Sequence, residues 1–130
     1  MHHENVHLGH NRLSIIDLSS EANQPFEQGE LSLVFNGEIY NYLELRAELQ
    51  EQGHEFKTHS DTEVILAAYR AWGDNCVKRF VGMWAFALMD KRDKSLFASR
   101  DPFGIKPFHY IHTGGRFYFS SEIKALKVTP

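Results

Sequence analysis

The chain has 130 residues, 42% of them hydrophobic and 13% aromatic, which suits one domain with a buried core. A formal net charge of −3 and a pI near 6.2 exclude a general basic field for nucleic acid or anionic lipid. The one cysteine, Cys76, cannot form an internal disulfide, and no apolar run approaches the roughly 20 residues of a membrane-spanning helix. We therefore expect a soluble, cytoplasmic protein without nucleic-acid or membrane partners.

The eight histidines do not follow a metal-ligand spacing, so we also expect no metal site. The hydrophobic period changes several times without a linker, which predicts alternating strands and helices in a single domain. The first half of the chain is predicted to contain a strand or strand pair over Val6 to Ile16, a short buried strand over Leu31 to Phe35, a helix over Tyr42 to Gln52 ended by Gly53, and a helix from Ser60 to about Trp72.

The second half reads as two hairpins and a helical turn. The first hairpin joins Met83 to Asp90 with Ser95 to Arg100, and the second joins Phe108 to His112 with Arg116 to Ser120 across two glycines. A helical turn follows over Ser121 to Leu126. Two hairpins in sequence imply an antiparallel sheet, and strands clustered apart from helices predict an α+β fold.

The segment from Leu8 to Asp17 places one arginine, Arg12, among the apolar residues of a predicted strand. A guanidinium in such surroundings needs an anion, and it forms a planar two-pronged pair with a carboxylate. Arg12 is therefore a candidate anchor for the α-carboxylate of an amino acid. An internal ion pair, with Asp17 for example, remains the alternative, and on that alternative Ile15 and Ile16 are ordinary core residues.

Asn36 and Gly37 follow the predicted strand that starts at Leu31. An Asn-Gly pair is typical of a hairpin turn. It also has a chemical interpretation, because an asparagine amide and a neighbouring glycine N–H can both donate to a developing oxyanion. The sequence by itself leaves both interpretations open.

Asp61 stands at the predicted start of the second helix, where an acidic side chain usually serves as a cap. Its carboxylate is alternatively a partner for the α-ammonium of the amino acid that Arg12 anchors. The segment from Arg100 to Pro107 is charged and contains two prolines. We interpret it as a rigid loop with a local ion pair.

These segments, together with Phe80 to Ala87 and Ser121 to Leu126, resemble in order and spacing the glutaminase domain of glutamine-hydrolysing asparagine synthetases, which are class II glutamine amidotransferases. The resemblance covers nearly the whole chain. The string from Asn36 to Asn41 looks like the asparagine synthetase version, whereas purine and hexosamine amidotransferases vary after the Asn-Gly pair. A third interpretation, a glutaminase domain serving purine or amino-sugar synthesis, is disfavoured on that ground.

The resemblance implies a four-layer αββα sandwich of antiparallel sheets, of the N-terminal nucleophile hydrolase type. It implies one partial glutamine amidotransferase domain over residues 1–130, incomplete at the N-terminus. L-glutamine would be the ligand, and no cofactor would bind in this domain. The implied site consists of Asn36 and Gly37 as oxyanion donors, Arg12 for the substrate carboxylate, Asp61 with Glu38 for its ammonium, and Ile15 and Ile16 along the same pocket.

Members of the resembled family begin with a nucleophilic cysteine whose own α-amine acts as the base. This sequence has no such residue, and Cys76 looks like a buried structural thiol. We therefore expect the isolated chain to be inactive in glutamine hydrolysis and to self-associate through an exposed strand edge. ATP and magnesium would act in a C-terminal synthetase domain. The alternative function is a catalytically inactive glutamine-binding sensor or scaffold.

Overall fold

A computed structural model describes residues 2–3, 6–9 and 23–127. Most of the predicted first strand pair, with Arg12, Ile15 and Ile16, lies outside these residues. Eight strands are described: β1 (His2–His3), β2 (Val6–His7), β3 (Phe26–Gln28), β4 (Leu31–Ile39), β5 (Gly82–Asp90), β6 (Ser95–Arg100), β7 (His109–Thr113) and β8 (Arg116–Ser120).

The strands form one antiparallel sheet in the order β3-β4-β5-β6 and two antiparallel pairs, β1-β2 and β7-β8. Both predicted hairpins are confirmed. They do not share a sheet, however, because β5-β6 belongs to the four-stranded sheet and β7-β8 is separate from it. The predicted antiparallel pairing is confirmed, and the two hairpins contribute to different sheets.

Strand β4 runs through Asn36 and Gly37 and ends only at Ile39. All nine of its residues pair with β5, from Leu31 with Asp90 to Ile39 with Gly82. The hairpin-turn interpretation of Asn-Gly is therefore wrong for this chain. The pairing partner lies beyond both long helices in the sequence, so no local signal reports it.

The helices are α1 (Tyr42–Glu51), α2 (Asp61–Trp72) and α3 (Ile123–Leu126), and a 3-10 helix covers Gly73–Arg79. The predicted boundaries of α2 are confirmed: the Ser60 hydroxyl accepts a hydrogen bond from the Thr62 N–H, and Gly73 at φ 62° ends the helix. In α1, Leu45 and Leu49 are buried but Leu43 is 60% exposed. The amphipathic face of α1 is therefore narrower than the leucine spacing predicted.

The two faces of β4 belong to different apolar clusters. Leu33, Phe35 and Ile39 pack with α1 and α2, whereas Val34 packs with Leu8 and with β8 through Phe119. The four-stranded sheet thus lies between a helical layer and the two strand pairs, and α3 contacts β7 and β8. This arrangement is an α+β fold, and its layers correspond to an incomplete αββα sandwich.

Candidate active site

A cleft of about 650 Å³ lies between the four-stranded sheet and the β7-β8 pair. Asn36 and Ala85 line it from the four-stranded sheet, and Phe108 and Phe119 line it from the opposite side. Of the predicted site residues that the structure describes, Asn36 borders this cleft directly. The middle of β4 and of β5 therefore borders a space in which a small ligand can be bound.

Hydrogen bonds alternate along an antiparallel pair, so every second residue of β4 directs its N–H away from β5. The Tyr40 N–H donates to the Val81 carbonyl at 2.6 Å, which fixes the phase of this alternation. Phe35, Gly37 and Ile39 accordingly direct their N–H groups towards the outer edge of β4. Strand β3 pairs only with Leu31 to Leu33 of that edge.

The N–H groups on either side of Gly37 along this edge are bound by side chains. The Phe35 N–H donates to Gln24 Oε1, and the Ile39 N–H donates to Asp61 Oδ2 at 3.0 Å. The Gly37 N–H lies between them and faces away from β5, towards the edge of β4 that β3 covers only as far as Leu33 among the described residues. It is therefore in a position to donate to a ligand at this edge.

Glycine is required at position 37 because the two central strands approach closely there. A Cβ atom on Gly37 would lie 2.1 Å from the Met83 carbonyl oxygen and 2.8 Å from the Trp84 Cα, and the φ angle is 138°. The same crowding occurs at Gly82 on β5, where an added Cβ would lie 2.1 Å from the Glu38 carbonyl oxygen. Side chains are thus excluded from both sides of this contact.

Asp61 is the first residue of α2 and is 5% exposed. Burial, and to a smaller extent the charge of Glu38, raises the pKa of its carboxyl group to about 6, although the Ile39 N–H opposes the shift. Ser60 provides the helix cap, so Asp61 is not the N-cap residue. A desolvated carboxylate beside a second carboxylate is an arrangement that a bound cation stabilises.

Glu63 supports the loop that precedes Asp61, and the sequence did not identify this role. Its buried carboxylate accepts from the Thr58 N–H and the Thr58 hydroxyl, both at 2.7 Å. The Thr58 hydroxyl oxygen in turn accepts from the Ser60 N–H at 3.2 Å. In the sequence, Glu63 looks like one of the acidic residues that favour a helix start, and nothing local indicates this loop contact.

The structure therefore brings together four of the predicted site residues. Asn36, Gly37 and Glu38 are consecutive on β4, and Asp61 contacts the residue after Glu38. Gln24 was not predicted, because its contact with the Phe35 N–H has no sequence signal.

Cys76, on the 3-10 helix, is fully buried in the cluster that includes Leu49 and Ile65. Burial raises the pKa of its thiol to about 12, so it is held as the un-ionised, unreactive form. The structural interpretation of Cys76 agrees with this placement. Within the described ranges, no helix is long and apolar enough to cross a membrane, and no three histidine, cysteine or acidic side chains are grouped as for a metal ion.

The loop after β6 differs from the prediction in its contacts. Arg100 does not pair with Asp101: its Nε and Nη2 donate to the carbonyls of Lys106 and Gly104 at 2.6 and 2.8 Å. The predicted local ion pair is therefore wrong. The loop is rigid because carbonyl oxygens and backbone N–H groups are bound by side chains.

The fold is that of the N-terminal nucleophile amidotransferases. The Bacillus subtilis glutamine phosphoribosylpyrophosphate amidotransferase, solved with ADP and GMP, superposes with a TM-score of 0.76 over 92% of this chain and 28% of that chain, at 27% identity. The sandwich of that enzyme class accounts for the two faces of β4.

The family model of the glutamine amidotransferase domain matches residues 1–130, and the chain belongs to that family. It is 47% identical over 129 residues to asparagine synthetase [glutamine-hydrolyzing] 1 of Bacillus subtilis, covering 98% of this chain and 20% of that protein. It is 43% identical to a putative asparagine synthetase [glutamine-hydrolyzing] 2 of Methanocaldococcus jannaschii, covering 93% of this chain and 26% of that protein. The chain thus spans about a fifth to a quarter of these relatives.

Proposed function

We propose that this chain is the glutamine-binding part of a glutamine-hydrolysing asparagine synthetase. In that role, glutamine is split into glutamate and ammonia at this domain. The ammonia amidates aspartate, with ATP and magnesium, in a part of the parent protein that these residues do not span. The 47% identity to an asparagine synthetase, against 27% to a purine amidotransferase, favours aspartate as the acceptor. The single cysteine, which cannot form an internal disulfide, favours a cytoplasmic location.

The proposal rests mainly on two groups that lie on the same outer edge of β4, the Gly37 N–H and the Asp61 carboxylate. The Gly37 N–H and the Asp61 carboxylate bound to Ile39 are two residues apart on one strand edge, roughly 7 Å at the usual rise per residue. The α-nitrogen and side-chain carbonyl carbon of extended glutamine are about 5 Å apart, because four single bonds join them. One edge can therefore bind the ammonium and the carboxamide together.

The groups at each end have the polarity that glutamine needs. Asp61 and Glu38 bring two carboxylates to the ammonium end, and an ammonium cation offsets both the burial of Asp61 and its repulsion from Glu38. Gly37 and Asn36 supply N–H donors to the carboxamide oxygen, whose charge grows when the carbon is attacked. We assign the substrate carboxylate to Arg12 and the pocket wall to Ile15 and Ile16 on the family motif.

Hydrolysis requires a nucleophile at the carboxamide carbon. The only cysteine of these 130 residues, Cys76, is buried in the helical core and un-ionised. These residues by themselves are therefore expected to bind glutamine without turning it over.

Calorimetric titration of the chain with L-glutamine tests the proposal. We expect saturable binding with one site per chain at pH 7.5, and a weaker affinity below pH 6, because the protonated Asp61 cannot pair with the ammonium. Asp61→Asn should weaken binding by about tenfold or more. Asp74→Asn, at an exposed position on the 3-10 helix, serves as the matched control and should bind as the parent does.

Absence of saturable binding by a cooperatively folded chain at millimolar glutamine would contradict the proposal. Equal affinity in the parent and the Asp61→Asn variant would contradict the assigned ammonium site. Release of ammonia by the chain alone would contradict the expected lack of turnover.

A further inference from the structure

Asp101 is a buried carboxylate at the end of β6 that the proposed chemistry does not use. It is 3% exposed. Its Oδ1 accepts from the N–H groups of Phe103 and Ile105 at 3.1 and 3.0 Å, and its Oδ2 accepts from those of Lys106 and Trp84 at 3.0 and 3.3 Å. Both oxygens are thus occupied by backbone donors.

Asp101 holds both backbone groups of Trp84. Its own N–H donates to the Trp84 carbonyl at 2.8 Å, while its carboxylate receives the Trp84 N–H. If β6 continued past Arg100, a backbone carbonyl would accept from the Trp84 N–H. The Asp101 carboxylate accepts this hydrogen bond instead, where β6 ends. The position of Trp84 therefore depends directly on Asp101.

Trp84 is the cross-strand partner of Gly37. Because a Cβ atom on Gly37 would lie 2.8 Å from the Trp84 Cα, the two backbones are in close contact without intervening side chains. A displacement of Trp84 is therefore transmitted to Gly37. The row that runs from Asp101 through Trp84 to Gly37 crosses the sheet from its β6 side to the outer edge of β4.

The same carboxylate also fixes the loop that leads to the cleft. It accepts hydrogen bonds from three N–H groups of this loop, those of Phe103, Ile105 and Lys106. The next two residues, Pro107 and Phe108, line the cleft. Arg100 reinforces this loop by binding the carbonyls of Gly104 and Lys106. Asp101 thus supports the cleft from two sides.

We propose that Asp101 is a positioning residue, which acts through Trp84 to set the direction of the Gly37 N–H towards the glutamine carboxamide. It does not touch the ligand. This inference rests on the proposed function, because the carboxamide is the acceptor that we assign to Gly37.

The test compares Asp101→Asn with Asp90→Asn in the isotopically labelled full chain. Asparagine offers one acceptor oxygen, and its amide group would face backbone N–H donors. Asp90 is the matched control: it is 2% exposed, is the last residue of β5, at the other end of that strand from Trp84, and binds Arg92. Each variant is examined by thermal unfolding, by the amide resonance of Gly37 and by glutamine titration.

We expect Asp101→Asn to remain folded, to shift the Gly37 amide resonance and to weaken glutamine binding by about tenfold. We expect Asp90→Asn to lose thermal stability without either of the other two changes. A folded Asp101→Asn variant whose Gly37 resonance and glutamine affinity match those of Asp90→Asn would overturn the proposal.

Arg100→Ala covers the case in which Asp101→Asn does not fold. It removes the hydrogen bonds to the Gly104 and Lys106 carbonyls and leaves the Asp101 carboxylate in place. It should shift the Gly37 resonance in the same direction by a smaller amount, and an unchanged resonance would overturn the proposal. If the parent chain fails to bind glutamine, the proposed function fails, whereas the Gly37 resonance still reports on Asp101.

Discussion

The carboxyl group of Asp61 titrates near neutral pH as a result of its burial at the start of α2. In the folded chain burial raises its pKa to about 6, whereas in the unfolded chain the value is the ordinary 3.8. Between these two values the unfolded chain loses the proton first, so the free energy of unfolding falls as the pH rises from about 4 to 6. Above pH 6 the folded protein carries the full cost of the buried charge, of the order of 3 kcal/mol.

Asp61→Asn removes this charge while keeping an oxygen for the Ile39 N–H. We predict that the variant gains free energy of unfolding relative to the parent as the pH rises from 4 to 7.5, by up to about 3 kcal/mol. Denaturant unfolding at a series of pH values measures the difference. The exposed Asp74→Asn variant should run parallel to the parent, and a pH-independent difference for Asp61→Asn would refute the assigned pKa.

Asn36 and Gly37 lie inside strand β4 and pair with β5, so they do not form a turn. At Gly37 the φ angle of 138° and the contact with the Met83 carbonyl leave no room for a side chain. We predict that Gly37→Ala lowers the free energy of unfolding by about 2 kcal/mol or more, because the added Cβ forces β4 and β5 apart.

Gly53→Ala is the matched comparison for that prediction. Gly53 also has a positive φ, 92°, but nothing lies within 4 Å of the Cβ that it would acquire. Its substitution should cost about 1 kcal/mol, from backbone strain alone. Equal losses in the two variants, measured by chemical denaturation, would show that crowding between the strands is unimportant.

The sequence predicted elements well where their signals are local. The Ser60 cap and Gly73 bounded α2, and charged or glycine-containing turns marked both hairpins. It failed where the deciding contact is distant: β4 extends past Phe35 because β5 pairs with it to the end. The loop after Arg100 was misjudged for the same reason, since Asp101 binds Trp84 on another strand.

The same distinction applies to the site. The residue types and order of Asn36, Gly37 and Asp61 indicated donors and a carboxylate, but only the docking of α2 against β4 places Asp61 at the Ile39 N–H. Arg12, Ile15 and Ile16 lie outside the described residues, so their roles stay predictions, as does self-association through a strand edge.

At the scale of the whole molecule, Cys76 reports on the integrity of the helical core. Its thiol has no solvent exposure, and burial raises its pKa to about 12. We predict no reaction with a thiol-specific reagent at pH 8 in the folded chain, and one thiol per chain after unfolding. Ser121→Cys, at an exposed position, should add one thiol that reacts at once, whereas a rapidly reacting Cys76 in the native chain would show that the core opens readily.

The pairing of β4 with β5 also has a consequence during synthesis. Leu31 pairs with Asp90 and Ile39 with Gly82, so α1 and α2 are both made before the partner strand exists. Because domains fold as their chain leaves the ribosome, β4 must wait until residue 90 has emerged. In that interval the apolar cluster can offer Leu33 and Phe35 the two new helices and Phe26 of β3, so these elements form the first template on which the sheet is registered.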